Sequence, residues 1–213
     1  MADSATDAKV ALLNLFPTPV AVADLPDAAA LNDALRRTIL AREQSVAGTQ
    51  HSNLGGWQSP WDFPDWCGDA GGRVIEAAKA LATKLTADRQ GRAVRVAWKV
   101  NAWANVNRTG HANEFHTHPG AYWSASYYVD DGGIGADASL GGGFEIQDPR
   151  GVAPAMYAPL LAFSTPGGLS VGASELVRPR PGMLMIFPSW LSHGVRPYTG
   201  TATRISVAMN LSV

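Results

Sequence analysis

The sequence has a single cysteine, Cys67, in 213 residues. No internal disulfide can form, so burial alone must hold the fold, and a reducing, cytoplasmic setting is expected. Nothing near Cys67 in sequence marks it as activated, and it reads as a packing residue. Charge is also scarce. Only 16% of residues are Asp, Glu, Lys or Arg, and the formal net charge is −1. No basic stretch suited to neutralising phosphates is present, so neither nucleic acid nor an anionic membrane is an expected partner. No apolar run is long enough to span a bilayer, and Met1–Lys9 lacks the basic-then-apolar order of a signal peptide. Histidine is rare too, with five in the chain.

What is plentiful is glycine, 22 residues, which favours a β-rich fold with many tight turns over a helical bundle. The length suits one domain, 1–213, made of a disordered tail (1–10), an N-terminal helical elaboration with a loop (11–92) and a β core (93–213). Leu12–Val22, apolar with two prolines, reads as an extended edge segment that leaves room for a homodimer. Leu31, Leu35, Thr38 and Ile39 then recur at helical spacing after Pro26-Asp27. Ser45–Pro64 is rich in glycine and proline and reads as a long loop. Its neighbourhood carries Trp57, Trp61 and Trp66, either a lid on the core or a pocket wall. Asp69 can cap a second helix, in which Val74, Ala78, Leu81 and Leu85 form the stripe.

After Gly91 the period changes from helical to alternating. Strands are expected at Val94–Val106, Glu114–His118, Trp123–Val129, Gly143–Ile146, Ser174–Val177, Met183–Phe187 and Arg204–Leu211. Two helices followed by strands alone predict a mainly β sandwich or barrel with the helices packed outside it.

Two of the five histidines, His116 and His118, stand two apart within one expected strand, where positions i and i+2 share a face. Such a pair can offer two nitrogens to one metal ion, or simply lie on a polar strand face. A third histidine, His193, follows the apolar run Met183–Pro188, where it suits either a ligand or a turn residue. Arg204 and Ser206 share a face of the last strand, inward if Val207 and Met209 face the other way. A buried guanidinium cannot lose its charge and needs an anion, so the two can make a carboxylate cradle; otherwise Arg204 is a surface residue at a strand start, paired with Asp or Glu.

These pieces occur beside Leu15-Phe16-Pro17-Thr18-Pro19, Gly56-Trp57-Gln58-Ser59, Trp103-Ala104-Asn105-Val106-Asn107, Ser124-Ala125-Ser126-Tyr127-Tyr128, Asp148-Pro149-Arg150 and Phe187-Pro188-Ser189-Trp190-Leu191-Ser192-His193. From about Leu15 to the end, the chain resembles the 2-oxoglutarate- and Fe(II)-dependent oxygenases, in particular a bacterial and phage group with prolyl-hydroxylase-like features. The resemblance implies a double-stranded β-helix (jelly roll) holding Fe(II) between two sheets. It implies His116, His118 and His193 as metal ligands, with no catalytic residue beyond them. It assigns Arg204, Ser206 and Tyr128 to the distal carboxylate of 2-oxoglutarate as cosubstrate. Ser126, Asn210 and Trp103 are pocket candidates, and Trp123 can border the pocket as well. The implied reaction is hydroxylation of a small-molecule or peptide substrate, with succinate and CO2 as co-products.

His118 departs from the pattern, standing where most of these enzymes carry Asp or Glu. Three imidazoles also serve in dioxygenases that need no 2-oxoglutarate, so that alternative stays open at this point. A cupin is a second alternative, since Gly110 and His116-x-His118 match the start of its first motif, although the expected glutamate is missing near Tyr122 and Trp123. A third is a non-catalytic jelly-roll module holding Zn2+ or Ni2+, which ordinarily requires four protein ligands.

Overall fold

The computed structural model describes residues 11–13, 15–152, 156–161 and 173–213, and the expected disordered tail (1–10) lies outside them. An edge strand β1 (Ala21–Asp24) leads into helix α1 (Ala28–Ser45), whose Leu31, Leu35 and Ile39 form the buried stripe that their spacing requires. The segment expected as loop contains two two-residue strands, β2 (Asn53–Leu54) and β3 (Trp57–Gln58), followed by the short helix α2 (Phe63–Trp66). Helix α3 (Gly68–Lys84) buries Val74, Ile75, Ala78 and Ala82. Asp69 lies in its first turn and does not cap it, since the cap position falls at Cys67, which makes no side-chain cap bond. Leu85 stands past the helix and is exposed.

All seven expected strands form: β4 (Lys99–Asn107), β5 (Ala112–His116), β6 (Trp123–Asp131), β7 (Phe144–Gln147), β8 (Ser174–Val177), β9 (Met183–Pro188) and β11 (Arg204–Ser212). Pairing adds β10 (His193–Val195), too short to show a period. The first of the seven begins at Lys99 and not Val94, because Trp98 turns toward α3 and donates its indole N–H to the Thr83 hydroxyl at 2.9 Å. The fifth residue of β5 is His116, so His118 lies beyond the strand end and not within it.

Two antiparallel sheets result, ordered β1-β9-β6-β11-β4-β3 and β2-β5-β10-β7-β8. From β4 onward the chain alternates between them, apart from the β7–β8 pair, which both lie in the smaller sheet, in the manner of a double-stranded β-helix, and the helices cover the outer face of the larger sheet. Ile205, Val207, Met209 and Leu211 of β11 pack there in one apolar cluster with Leu35, Ile39, Val74 and Ala78. Between the sheets the apolar filling is smaller: Phe144, Ile146, Met185, Phe187 and Leu191. The rest of that interior is polar, which leaves room for a site. No described helix is long and apolar enough to cross a membrane.

Candidate functional site

Strand pairing brings the first two histidines together. His193 opens β10 directly opposite His116, the last residue of β5, with ring centroids 4.4 Å apart. Gly194 permits this approach, since a Cβ there would come within 2.9 Å of the Asn113 carbonyl. His118 is drawn back by a bond from its backbone N–H to the Ser189 carbonyl at 2.9 Å. Its ring centroid lies 4.9 Å from that of His116 and 5.0 Å from that of His193. The three rings offer one nitrogen each within 4.8 Å of one another, and the Nε2 atoms of His118 and His193 are 3.2 Å apart.

This donor set suits a transition-metal ion. The Nδ1 atoms of His116 and His193 each sit 2.8 Å from a backbone carbonyl two residues earlier, Glu114 and Leu191. A carbonyl only accepts, so both rings carry their proton on Nδ1 and turn an Nε2 lone pair toward the cluster. No carboxylate joins the group among the described residues. Glu114 is exposed, and Asp130 is paired with Arg36. Of the other histidines, His51 is stacked on Trp61 at the surface, and His111 accepts the Arg108 backbone N–H in a turn.

Burial keeps these rings neutral. Desolvation pushes the pKa of His193 down to about 3 and that of His118 to about 4, each assisted by repulsion from neighbouring imidazoles, and it lowers His116 as well. In the unfolded chain the same rings bind a proton below about 6.5. Between those limits the unfolded state holds more protons, so the stability these rings carry is complete above about pH 6.5 and is lost as pH falls toward 4 and 3. At about pH 6 to 8 a metal ion displaces no proton from His118 and His193. Metal affinity, measured by Ni(II) titration calorimetry, is therefore expected to change by less than about fourfold over that interval, the most that a single ordinary imidazole contributes. A fall of about 60-fold from pH 8 to 6 would show three imidazoles with ordinary pKa values.

The residues expected to form the carboxylate cradle lie deeper. Arg204 is 2% exposed, and no described carboxylate comes within ion-pair distance of it. Its Nη1 is 3.4 Å from Asn107 Oδ1, its guanidinium carbon stands 5.4 Å from the Tyr128 ring centroid, and its Nε has no hydrogen-bond partner. Asp131 is its register neighbour, but the Asp131 carboxylate already accepts from the backbone N–H groups of Gly133 and Gly135. The Tyr128 hydroxyl is equally unpartnered, and burial raises its pKa to about 12 against the opposing pull of Arg204. Ser126 is near enough to lower that value slightly without making a hydrogen bond in good geometry. Ser206 pairs across the sheet with Asn105 on one side and Tyr128 on the other. Two buried polar atoms lacking partners beside an inward hydroxyl form a cradle that an anion completes.

The histidines and the cradle share one cavity of about 530 Å³ including its open mouth. Trp103 and Ser126 line it, as the sequence implies. Asn210 sits behind His118, with its carboxamide 3.3 Å from that ring's Nδ1. Trp123 does not border the cavity, because its indole N–H is bonded to Thr86 and its ring packs under the helices. Trp57 and Trp66 are likewise tied into the helical layer, by bonds to Val46 and Asp62. Of the three tryptophans Trp61 comes nearest without lining the cavity, its ring centroid 6.3 Å from that of Trp103, which in turn lies 5.7 Å from that of His118.

Sequence reasoning missed Ser52, Gln58, Asn105 and Asn113 in the wall. For Asn105 a signal existed, since it alternates with Trp103 and Asn107 on β4. Gln58 stands in the Gly56–Ser59 piece that the resemblance includes, without a role assigned to it, and Ser52, from the same loop, had no signal. Ser52 Oγ lies 3.4 Å from His116 Nε2.

Comparison with known proteins agrees with this geometry. The sequence profile of the family described as "Putative 2OG-Fe(II) oxygenase" matches residues 101–210. No curated protein matches the chain. Among solved structures, a Pseudomonas putida prolyl-4-hydroxylase is similar at 17% identity and a TM-score of 0.61, covering 92% of each chain. A Trichoplax adhaerens prolyl hydroxylase in complex with a hypoxia inducible factor peptide fragment is 13% identical, TM-score 0.61, covering 91% of this chain and 83% of that one. HygX from Streptomyces hygroscopicus, with nickel and 2-oxoglutarate bound, is 12% identical, TM-score 0.57, covering 92% and 83%.

Proposed function

The chain belongs to the 2OG-Fe(II) oxygenase family, and from that premise we propose that His116, His118 and His193 hold the iron while Arg204, Tyr128 and Ser206 hold the distal carboxylate of 2-oxoglutarate. The observation that carries the assignment is Arg204: a guanidinium buried to 2% exposure, with an orphaned Nε beside an orphaned phenol, in the same cavity as three convergent imidazoles. When bound, the iron and its cosubstrate supply oxidative decarboxylation coupled to hydroxylation of a C–H bond.

The protein's own part is binding, orientation and exclusion of water. Three neutral imidazoles add no charge, so the ion's +2 and the guanidinium's +1 together face the cosubstrate dianion, a stronger attraction than a carboxylate ligand would leave. Arg204 can fork onto the carboxylate while Tyr128 and Ser206 donate to it, which fixes the keto acid end toward the histidines. Phe144 and Phe187 back His193 at centroid distances of 5.1 and 4.7 Å and keep water from that side. The rest of the wall offers carboxamides (Gln58, Asn105, Asn113), the Ser52 hydroxyl and the Trp103 ring, and among the described residues no second charged side chain. A charged substrate group would lose its hydration there without a partner, so the inserted portion of the substrate, small molecule or peptide, is uncharged.

Anaerobic titration with Fe(II) and then 2-oxoglutarate tests this reading. A weak visible charge-transfer band should saturate at one iron and one 2-oxoglutarate per chain. Absence of the band, or a fourth protein ligand on the bound metal, would sink it. Faster 2-oxoglutarate turnover with charged than with neutral members of a compound panel would contradict the substrate class.

A further inference from the structure

The three imidazoles are not held alike. His116 and His193 are oriented by their own chain, through the carbonyl two residues earlier in each case. His118, past the end of β5, has no such carbonyl. Behind it stands the carboxamide of Asn210, 3.3 Å from Nδ1, with the other end of that carboxamide 2.8 Å from Ser124 Oγ. Asn210 and Ser124 are direct partners across β11 and β6, so the sheet's register fixes the Ser124 end of the carboxamide and aims the other end at His118.

We propose that Asn210 is the positioning residue of His118, accepting its Nδ1 proton through Oδ1 and so turning Nε2 toward the metal. The proposal rests on His118 being a ligand. A neutral imidazole that ligates through Nε2 carries its proton on Nδ1, and that proton needs an acceptor in a half-buried setting. As placed, Nδ2 lies on the His118 side. The nitrogen and oxygen of a carboxamide exchange by a half-turn that leaves its outline unchanged. After that turn, Oδ1 accepts from His118, and Nδ2 donates to Ser124 Oγ, a hydroxyl that accepts as readily as it donates. In the opposite orientation Nδ2 donates to Nδ1, the ring proton sits on Nε2, and that nitrogen cannot ligate. Metal binding by His118 and the orientation of Asn210 are thus one linked choice. The ligand that replaces the usual carboxylate is the one whose geometry depends on a side chain from a distant strand.

The test is Co(II) affinity by equilibrium dialysis, with the Co(II) ligand-field spectrum of each variant. Asn210→Ala is expected to weaken Co(II) binding by about 10- to 100-fold, the usual cost of losing an outer hydrogen-bond partner. Asn210→Asp, an acceptor of nearly the same shape, should restore affinity to within about threefold of wild type and shift the Co(II) bands, since a carboxylate makes the imidazole more basic. In a His118→Ala background, Asn210→Ala should add no further loss, because nothing remains for it to orient. Equal weakening by Asn210→Ala and Asn210→Asp, or a full additional loss on top of His118→Ala, would overturn the proposal in favour of simple packing. Wild-type affinity in His118→Ala itself would remove the ligand assignment beneath it, and is distinguishable because it needs no change at Asn210.

Discussion

Replacing Arg204 with methionine is expected to abolish detectable 2-oxoglutarate binding while leaving the metal-free protein as stable as wild type or more so. Ordinarily the loss of a buried arginine destabilises a protein by stranding its partner. Here the partner within the fold is slight: one long contact to Asn107, an aromatic face at 5.4 Å, and an Asp131 whose oxygens are already engaged. Burial works against the charged guanidinium and lowers its pKa, and the attraction of Tyr128, Asp131 and Tyr198 offsets this only in part. An apolar side chain of similar length removes that desolvation cost, and such replacements at buried charged sites are neutral or stabilise by about 1–4 kcal/mol. The same change deletes the charged anchor of the cosubstrate, worth about 2–5 kcal/mol, or from about 30-fold to several thousand-fold in Kd. Thermal melts read both effects. Wild type with Mn(II) should gain Tm on adding 2-oxoglutarate by mass action, and Arg204→Met should show no gain from an equal or higher baseline. A variant that melts well below wild type yet still responds to 2-oxoglutarate would make Arg204 a structural residue.

His193→Ala should remove metal binding most completely. His193 is 4% exposed and is fixed by the β5–β10 register and by the Leu191 carbonyl. Rotation of another residue cannot fill its place, since Phe144 and Phe187 pack against it. Loss of a ligand should exceed the loss of an outer partner, so affinity is expected to fall by more than about 100-fold. The metal-free protein should also lose about 1–3 kcal/mol, because the Leu191 carbonyl is left unsatisfied beside the cavity the imidazole vacates. Metal content by equilibrium dialysis and chemical denaturation measure the two. Retained affinity would mean that the ion is held elsewhere.

Much of this was legible in the residues. The change of period after Gly91 announced the β core, and alternation in Arg204–Leu211 placed Arg204 and Ser206 opposite Ile205 and Val207, which the packing bears out. His116 and His193 are brought together as the resemblance implies. What was not legible came from pieces too short to have a period. Strands β2 and β3 hold two residues each, yet they carry Gln58 and bring Ser52 to the wall. The lid reading of the tryptophans failed to separate Trp61 from Trp57 and Trp66, because an indole's role depends on where its N–H finds an acceptor. The same-face argument for His116 and His118 assumed a strand running through His118, whereas the strand ends at His116, and the rings converge because the Ser189 carbonyl pulls the chain back.

The sequence by itself determined a mainly β core and the rarity of charge that makes one inward arginine informative, since both follow from local periodicity and composition, and its resemblance to the oxygenases implied the β-helical form of that core. It also carried the residue types of a metal face and a carboxylate cradle. Only the tertiary structure decided how those residues are held. It set His193 opposite His116 by register, left Arg204 without an ion pair among the described residues, and placed Asn210 behind the one imidazole of the three that has no carbonyl two residues earlier to support it. Each of these is a contact between strands far apart in the chain, and such contacts leave no periodic trace in the sequence of either strand.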